Sequence, residues 1–537
     1  TEDHMWRNPT WGKARKREDA DKWLLADEKE KKKLAEFGSV IFINPDAEDQ
    51  HALIPPGYRP GHTGRKCHIK EDGTYKVRIY ELGNLEDLQG QTLDTFAPTA
   101  SQKAIWLIFA LALLLGLKQR QYDIGSAFCA EKCPREKYFW VDGKLATSKN
   151  QFYGSKDAPA IFNKGYVKHV EEAGYNQTRN EKGVFVKLIS AILFIWIVLH
   201  VDDFKVFTTS DELADEFEEH LKKKYKSVKR INGGLFLGIN EQKFKEGSIF
   251  TKPEMLADLF ETVIPDGPTI VSKHFQTNPS PMTEEYLKKI DDPAELTDAT
   301  EFKSHFGKLQ QQLPVRPDIA FAVNRLGTRN KAPGPNIKDK EALMQVVCYL
   351  YMTMNKGIFL PVGDKAGRGL ITKLVGFSDA GGSIGSDSKH TYSTTFALVQ
   401  VDKAATNETI LQKIQATGKI NSRTNKATTT DLAQTEAEIG AIVETTKDTI
   451  WSRNFMAELG QEQIEATPIY NDNKSGLHLV TLYDGAHKRV RYCLNRINFC
   501  LDQVKANIVQ YLYLKSEELP ADPGTKLYQG IEHTRKA

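Results

Sequence analysis

The chain has 537 residues, 40% apolar and 27% charged, with a formal net charge of +3. That length exceeds one ordinary core and implies roughly two to four domains, while the near balance of charge makes any polyanion site a local feature. Six thinly spread cysteines argue against a disulfide framework and read as thiols in a reducing compartment. No signal-peptide pattern opens the chain, and the longest apolar run, Ala104–Leu117, is too short for a membrane span, so no membrane partner is expected. The chain begins at Thr1 without an initiator Met, which reads as an excised piece, whether trimmed artificially or cut from a longer precursor.

In chain order, Asp19–Gly38 reads as an amphipathic helix closed by Gly38. Ser39–Ile43 and Tyr75–Tyr80 read as strands flanking a Pro/Gly-rich loop at Pro55–Gly64, followed by the basic residues Arg65, Lys66, Lys70, Lys76 and Arg78. Thr95–Gly116 reads as a long buried helix, and Lys118–Ala127 as strand, turn and helix start. Phe152–Ala173 holds a Tyr-Gly turn, a proline and a helix. The apolar run ending at Leu199 and the alternation through Phe204, Val206 and Phe207 predict a buried hairpin. Asp211–Tyr225 is amphipathic, with Thr209 and Glu212 in a capping-box pattern. Leu235–Ile239 reads as a short strand. Helical patterns then cover Pro253–Val263, Asp298–Leu313 and Ile337–Met354, and beyond Leu370 strand, helix and strand follow. Two basic clusters, Lys13–Arg17 and Lys222–Arg230, read equally well as phosphate contacts or as solvated helix faces.

The hairpin tip carries Asp202 and Asp203 between two hydrophobic strands. Taken alone, such a pair is more often a polar turn, but buried carboxylates require a counter-ion, and a hard divalent cation is one. Asp123 ends another predicted strand. One carboxylate there plus the pair would form a three-acid cluster, and two cations about 3.5–4 Å apart on such acids drive nucleotidyl transfer.

These residues, with their neighbours, resemble the reverse transcriptase–ribonuclease H of copia-type LTR retrotransposons (Pseudoviridae). DADKWLLADEKEKKKLAEFG and LIPPGYRP look like the family's opening helix and loop, and DGTYKVRIYELG its fingers strand. QYDIGSAF, FYGSKDAPAIFNK, LHVDDF and LFLGI resemble the polymerase motifs and the primer-grip strand. RPDIAFAVNRL is similar to the helix that follows. FSDA, TEAEIGA, YNDNKSG and PADPGTK resemble the ribonuclease H motifs in order.

The resemblance implies an α+β multidomain chain: right-hand polymerase fingers and palm over 1–245, a helical thumb or connection over 246–365, and a mixed α/β ribonuclease H domain over 366–537. It makes Asp123, Asp202 and Asp203 the polymerase metal ligands, with the Ile124 carbonyl as a further one. Lys70, Lys76 and Arg78 become the triphosphate clamp. Gly154 lets backbone approach the base pair, Lys156 and Pro159 shape the nucleotide pocket, and Phe128 lies beneath the incoming sugar as a gate against the 2′-hydroxyl. Asp379, Glu436, Asp472 and Asp522 become the ribonuclease H ligands, Glu438 being the alternative to Glu436, and His487 stands where the family has a histidine. His200 departs from the aromatic usual before Val-Asp-Asp.

Two Mg²⁺ per active site are implied, with Mn²⁺ able to substitute. Implied partners are RNA and DNA template-primer, RNA–DNA hybrid, dNTPs and other segments of a retrotransposon polyprotein, with a homodimer left open. The implied setting is cytoplasmic, within virus-like particles. The implied function is copying of RNA and DNA templates into DNA with cleavage of RNA in hybrids. Its rivals are a domesticated nucleic-acid-binding scaffold and a polymerase with a decayed ribonuclease H.

Overall fold

The computed structural model describes residues 7–527 apart from 71, 89, 234, 268–279, 365–368, 383–388, 416, 428–429, 432 and 483–492. His487 lies outside the described residues. The first sheet is five-stranded, in the order β1 (Ile41–Phe42), β6 (Lys144–Thr147), β5 (Tyr138–Val141), β2 (Gly61–Ile69), β3 (Tyr75–Glu81). A short helix α1 (Trp11–Ala14) precedes α2 (Ala20–Glu36), which packs on β3. The helix buries Trp23, Asp27, Glu30 and Leu34, a stripe at helical spacing. Its buried Asp27 is neutralised by Arg65 at 2.6 Å, and Gly38, at φ +68°, ends the element as its sequence position predicts.

The second sheet is six-stranded and antiparallel, ordered β11 (Val228–Ile231), β4 (Lys118–Ile124), β10 (Asp203–Thr208), β9 (Leu193–His200), β8 (Val184–Ser190), β7 (Asn176–Gln177). Both faces of β9 are covered, which is why its sequence runs continuously apolar. Ile195, Ile197 and Leu199 join the core beneath α4 (Ala158–Glu171) and α5 (Asp211–Lys224). Phe194, Trp196 and Val198 join the core around α3 (Gln102–Leu114).

Helix α3 is shorter than the Thr95–Gly116 span expected for it. Ser101 caps it, accepting from Ala104 N at 3.3 Å, and is itself held by Glu181 through its backbone N–H and hydroxyl. Pro98 lies in the extended segment before the cap. The helix is hydrophobic all round because it is enclosed on every side. Phe109 meets Phe207 of the palm at 5.5 Å, and Trp106 meets Phe250 at 5.3 Å. The same core includes Phe396, Leu398, Ile420 and Phe455 from the C-terminal unit. Hydrogen bonds reinforce this junction: Gln400 Nε2 to Leu114 O at 2.7 Å, and Trp196 Nε1 to Leu459 O at 3.1 Å.

The stretch 246–365, expected to be helical, also contains strands. β12 (Asn240–Lys243), β13 (Gly247–Thr251) and β14 (Ile358–Pro361) form a three-stranded sheet. They bracket α6 (Pro253–Val263), α7 (Glu284–Lys288), α8 (Ala299–Gln310), α9 (Ala320–Gly327) and α10 (Ile337–Met352), which share a separate core. Two further local readings are corrected. Leu235–Ile239 is no strand: Leu237 and Gly238 have φ of +57° and +71°, making a tight turn closed by the Phe236–Ile239 bridge. The cap of α5 is Ser210, because Thr209 Oγ1 is already engaged with the backbone N–H of Phe194.

The C-terminal sheet is ordered β17 (Ile420–Lys426), β16 (Thr391–Asp402), β15 (Leu370–Gly381), β18 (Thr467–Asn471), β19 (Val509–Tyr513). The first three strands are antiparallel and the last two join in parallel. Around it lie α11 (Asn407–Gln415), α12 (Gln434–Glu458), α13 (Lys474–Leu482) and α14 (Leu494–Lys505). This is a mixed α/β domain.

Candidate active sites on the palm and the C-terminal sheet

The palm acids come together through strand register. Asp203 lies opposite Asp123 across β10 and β4, and opposite His200 across β10 and β9. The tip residue Val201 has φ +59°. A β-branched residue there is strained, at a cost on the order of 1–3 kcal/mol. The strain sits beside the residues that place Asp202. Along β4, Tyr122 and Ile124 are buried while Gln121 and Asp123 face the more open side. Burial, then repulsion from Asp202 and Asp123, pushes the Asp203 carboxyl up to about 6. Burial also raises Asp202. The His200 ring is half-buried and held below its ordinary value by burial, and its Nδ1 has no hydrogen-bond partner among the described residues.

A cavity of about 310 Å³ opens on Asp123 and Asp202. Asp123, Ile124 and Asp202 form its palm wall, and Lys70, Lys76 and Arg78 its fingers wall. Asp123, Asp202 and the expected triphosphate clamp thus share one space. Arg78 lies over the Tyr153 ring at 4.9 Å, and Tyr153 lines the cavity as well.

Three residues expected at this pocket are placed differently. Phe128 opens a single 3₁₀ turn and is half-buried, edge-on to Tyr153 at 6.1 Å and to Phe162 at 5.9 Å. It packs behind Tyr153, which lines the cavity along with Tyr75, and does not itself line it. Gly154, at φ +86°, is crowded by protein backbone: a Cβ there would meet Glu81 O at 2.1 Å. The glycine is required where the Tyr153–Gly154 turn crosses the end of β3, and Glu81 N donates to Tyr153 O at 2.6 Å. Lys156 lies at the same crossing, its backbone N–H donating to Glu86 at 3.2 Å, and does not line the cavity.

The second acidic site assembles at adjoining strand ends. β15 and β18 run parallel, so Asp379 near the end of one and Asp472 just past the other are neighbours. Glu438, in the opening turns of α12, joins them. One oxygen from each of Asp379, Glu438 and Asp472 falls within 4.8 Å of the others. No other such group of three occurs among the described residues, so Asp123, Asp202 and Asp203 share a sheet without closing this far.

The third carboxylate is therefore Glu438, and Glu436 is displaced from the cluster. Residues two apart on a helix lie about 200° apart around it, so only one can face the sheet. Glu438 is 3% exposed and receives hydrogen bonds from Asn471 Nδ2 at 3.0 Å and Gln434 Nε2 at 2.9 Å. Glu436 is half-exposed on the flank near Arg496. Asp522 is fully buried next to the cluster but outside it, paired with Lys526. Thr525 Oγ1 donates to Asp379, and Ser516 Oγ to Asp472. Sequence reasoning did not single out Asn471, Gln434, Ser516 or Thr525. Their adjacency to the motif acids is the one signal that pointed to them.

The donor set suits a hard divalent cation. Burial and mutual repulsion hold Asp379 and Glu438 well above the usual carboxylate range. Asp379 Oδ1 is buried with no hydrogen-bond partner among the described residues. An all-oxygen site of this kind is relieved by a cation rather than by another hydrogen bond.

Residues 54–263 match the family described as reverse transcriptase (RNA-dependent DNA polymerase). The chain carries a reverse transcriptase domain. The retrovirus-related Pol polyprotein from transposon RE1 of Arabidopsis thaliana is 23% identical over 84% of this chain and 29% of its own length. That from transposon TNT 1-94 of Nicotiana tabacum is 24% identical over 88% of this chain and 35% of its own length. The domain is similar to the reverse transcriptases of copia-type elements, and the chain spans about a third of the length of these curated relatives. A solved foamy viral protease-reverse transcriptase in complex with dsDNA superposes with a TM-score of 0.43 at 15% identity, covering 92% of this chain and 83% of that one.

Proposed function

We propose that this reverse transcriptase copies RNA and DNA templates into DNA and that its C-terminal domain cleaves RNA in RNA–DNA hybrids. The observation that carries the reading is the cavity in which Asp123 and Asp202 face Lys70, Lys76 and Arg78. Carboxylates opposite a cationic wall suit a metal-bound polyphosphate, and a neutral ligand would leave both sets unpaired. Asp123, Asp202 and Asp203 would hold Mg²⁺, or Mn²⁺ in its place, at the polymerase site, and Asp379, Glu438 and Asp472 at the nuclease site. Bound there, the cations supply Lewis acidity at phosphate and lower the pKa of a bound hydroxyl or water.

The chain's own residues do the remainder. Arg78 offers a planar fork to phosphate oxygens and Lys76 a point charge. Tyr153, braced by Phe128, walls the cavity. At the nuclease site Asn471 and Gln434 hold the Glu438 carboxylate in one orientation, and Thr525 and Ser516 fix Asp379 and Asp472. Asp522 and Lys526 form a neutral pair at the rim, where Lys526 can meet the scissile phosphate.

Primer extension on RNA and DNA templates with Mg²⁺ or Mn²⁺, run beside cleavage of a labelled RNA strand in a hybrid, tests both halves. Extension with cleavage is the expected result. Tight template-primer binding without extension would favour a scaffold, and extension without cleavage a decayed nuclease.

A further inference from the structure

The wall of the palm cavity facing solvent from the fingers side is completed by α2, which precedes the residues matched to the family, 54–263. Lys29, Glu30 and Lys33 of this helix line the same cavity as Asp123 and Asp202. Its lysine-rich run divides by partner. Lys31, on the other side, is paired with Asp27, Glu28 and Asp142 at 2.9, 3.0 and 2.6 Å. Lys29 and Lys33 have no ion-pair partner among the described residues.

Like charges four apart on a helix disfavour it by roughly 0.2–0.5 kcal/mol. Here they also face Lys70, Lys76, Arg78 and Lys229 across the cavity. Glu30 is 8% exposed in their midst, and Lys33, Arg78 and Lys76 all act on its carboxyl. One carboxylate does not balance six cations. With Asp123 and Asp202 committed to metal under the reading above, the lining keeps a surplus of positive charge that suits an extended polyanion.

We propose that Lys33, with Lys29, completes the polyphosphate site of the incoming nucleotide, making α2 a substrate-binding element. The proposal rests on the polymerase reading. The acids lie on the palm wall and α2 on the fingers wall, so these lysines meet the end of the polyphosphate remote from the acids. Glu30 is the internal counter-charge that lets the cations stand together when no phosphate is bound.

The test uses the full chain and two probes: inorganic tripolyphosphate by calorimetry, and dNTP concentration in single-nucleotide primer extension. Lys33→Ala should weaken tripolyphosphate binding and raise KM for dNTP by roughly tenfold, as expected for a lost hydrogen bond between charged groups. The kcat and the primer-template Kd should stay within about twofold. Lys29→Ala/Lys33→Ala should lose more, Lys33→Arg should recover most of the effect, and Lys32→Ala, on the exposed face of the same helix, should change nothing.

An unchanged KM and tripolyphosphate affinity in a double variant with wild-type melting would overturn the proposal. So would a loss confined to primer-template affinity, which would place the lysines on the nucleic-acid strand. Wild-type protein that binds tripolyphosphate through these lysines yet extends no primer would instead overturn the polymerase reading and leave the anion site standing.

Discussion

Exchanging Glu438 for Gln should stop RNA cleavage and, without metal, make the protein more stable. The side chain is 3% exposed and faces Asp379 and Asp472 across less than 4.8 Å. Burial and the two neighbouring charges raise its pKa. The folded state therefore binds the proton more tightly than the unfolded chain. Stability is lost as pH rises from the ordinary carboxylate value of 4.5 through the raised one. Every tenfold gain in proton affinity on folding corresponds to about 1.4 kcal/mol. Gln removes that repulsion but keeps a single acceptor oxygen where Asn471 and Gln434 now donate, at a cost of about 1 kcal/mol. The net gain is on the order of 1–3 kcal/mol in mildly alkaline, chelator-treated buffer, or a Tm higher by roughly 2–6 °C. Glu436→Gln should leave cleavage intact and shift Tm little. The assays are a thermal melt with and without divalent cation, and hybrid cleavage. A fall in metal-free Tm for Glu438→Gln, or loss of cleavage with Glu436→Gln instead, would refute this placement of the third carboxylate.

Asp202→Asn should abolish primer extension while hybrid cleavage persists, since the two acid clusters lie on separate sheets; parallel loss of both would mean that the change unfolds the shared core. Arg78→Ala should chiefly raise KM for dNTP, with Arg78→Lys recovering part of the loss because the planar fork is missing; steady-state extension reads the split. Phe128→Val should cost about 1–3 kcal/mol in a denaturant melt and leave the rNTP-to-dNTP efficiency ratio nearly unchanged, since Tyr153 lines the cavity; a large rise in ribonucleotide use would restore Phe128 as the gate. In metal-free buffer, stability should fall as pH rises from the ordinary Asp value of 3.8 to about 6, the window in which Asp203 keeps its proton in the folded state but has lost it in the unfolded chain. Asp203→Asn should flatten that part of the pH–Tm curve.

The motifs and the hairpin were legible because they are local. An apolar run broken by two acids and resumed in alternation reads as β9, turn and β10, and its two covered faces explain its composition. The acid order Asp379, Asp472, Asp522 was also visible as short strings. Choosing between Glu436 and Glu438 was a different matter. Both sit in the opening turns of α12, and the choice depends on which helix face β15 and β18 accept. The meaning of Gly154 likewise waited on the strand end that crosses it. Phe128 kept its distance from Asp123 along the chain, but a 3₁₀ turn took its ring behind Tyr153. Sequence alone set the local periodicities and the order of the acids, because these depend on residues a few positions apart. Tertiary structure decided which side chains share a cavity and which core α3 joins, because both depend on surfaces brought together from distant parts of the chain.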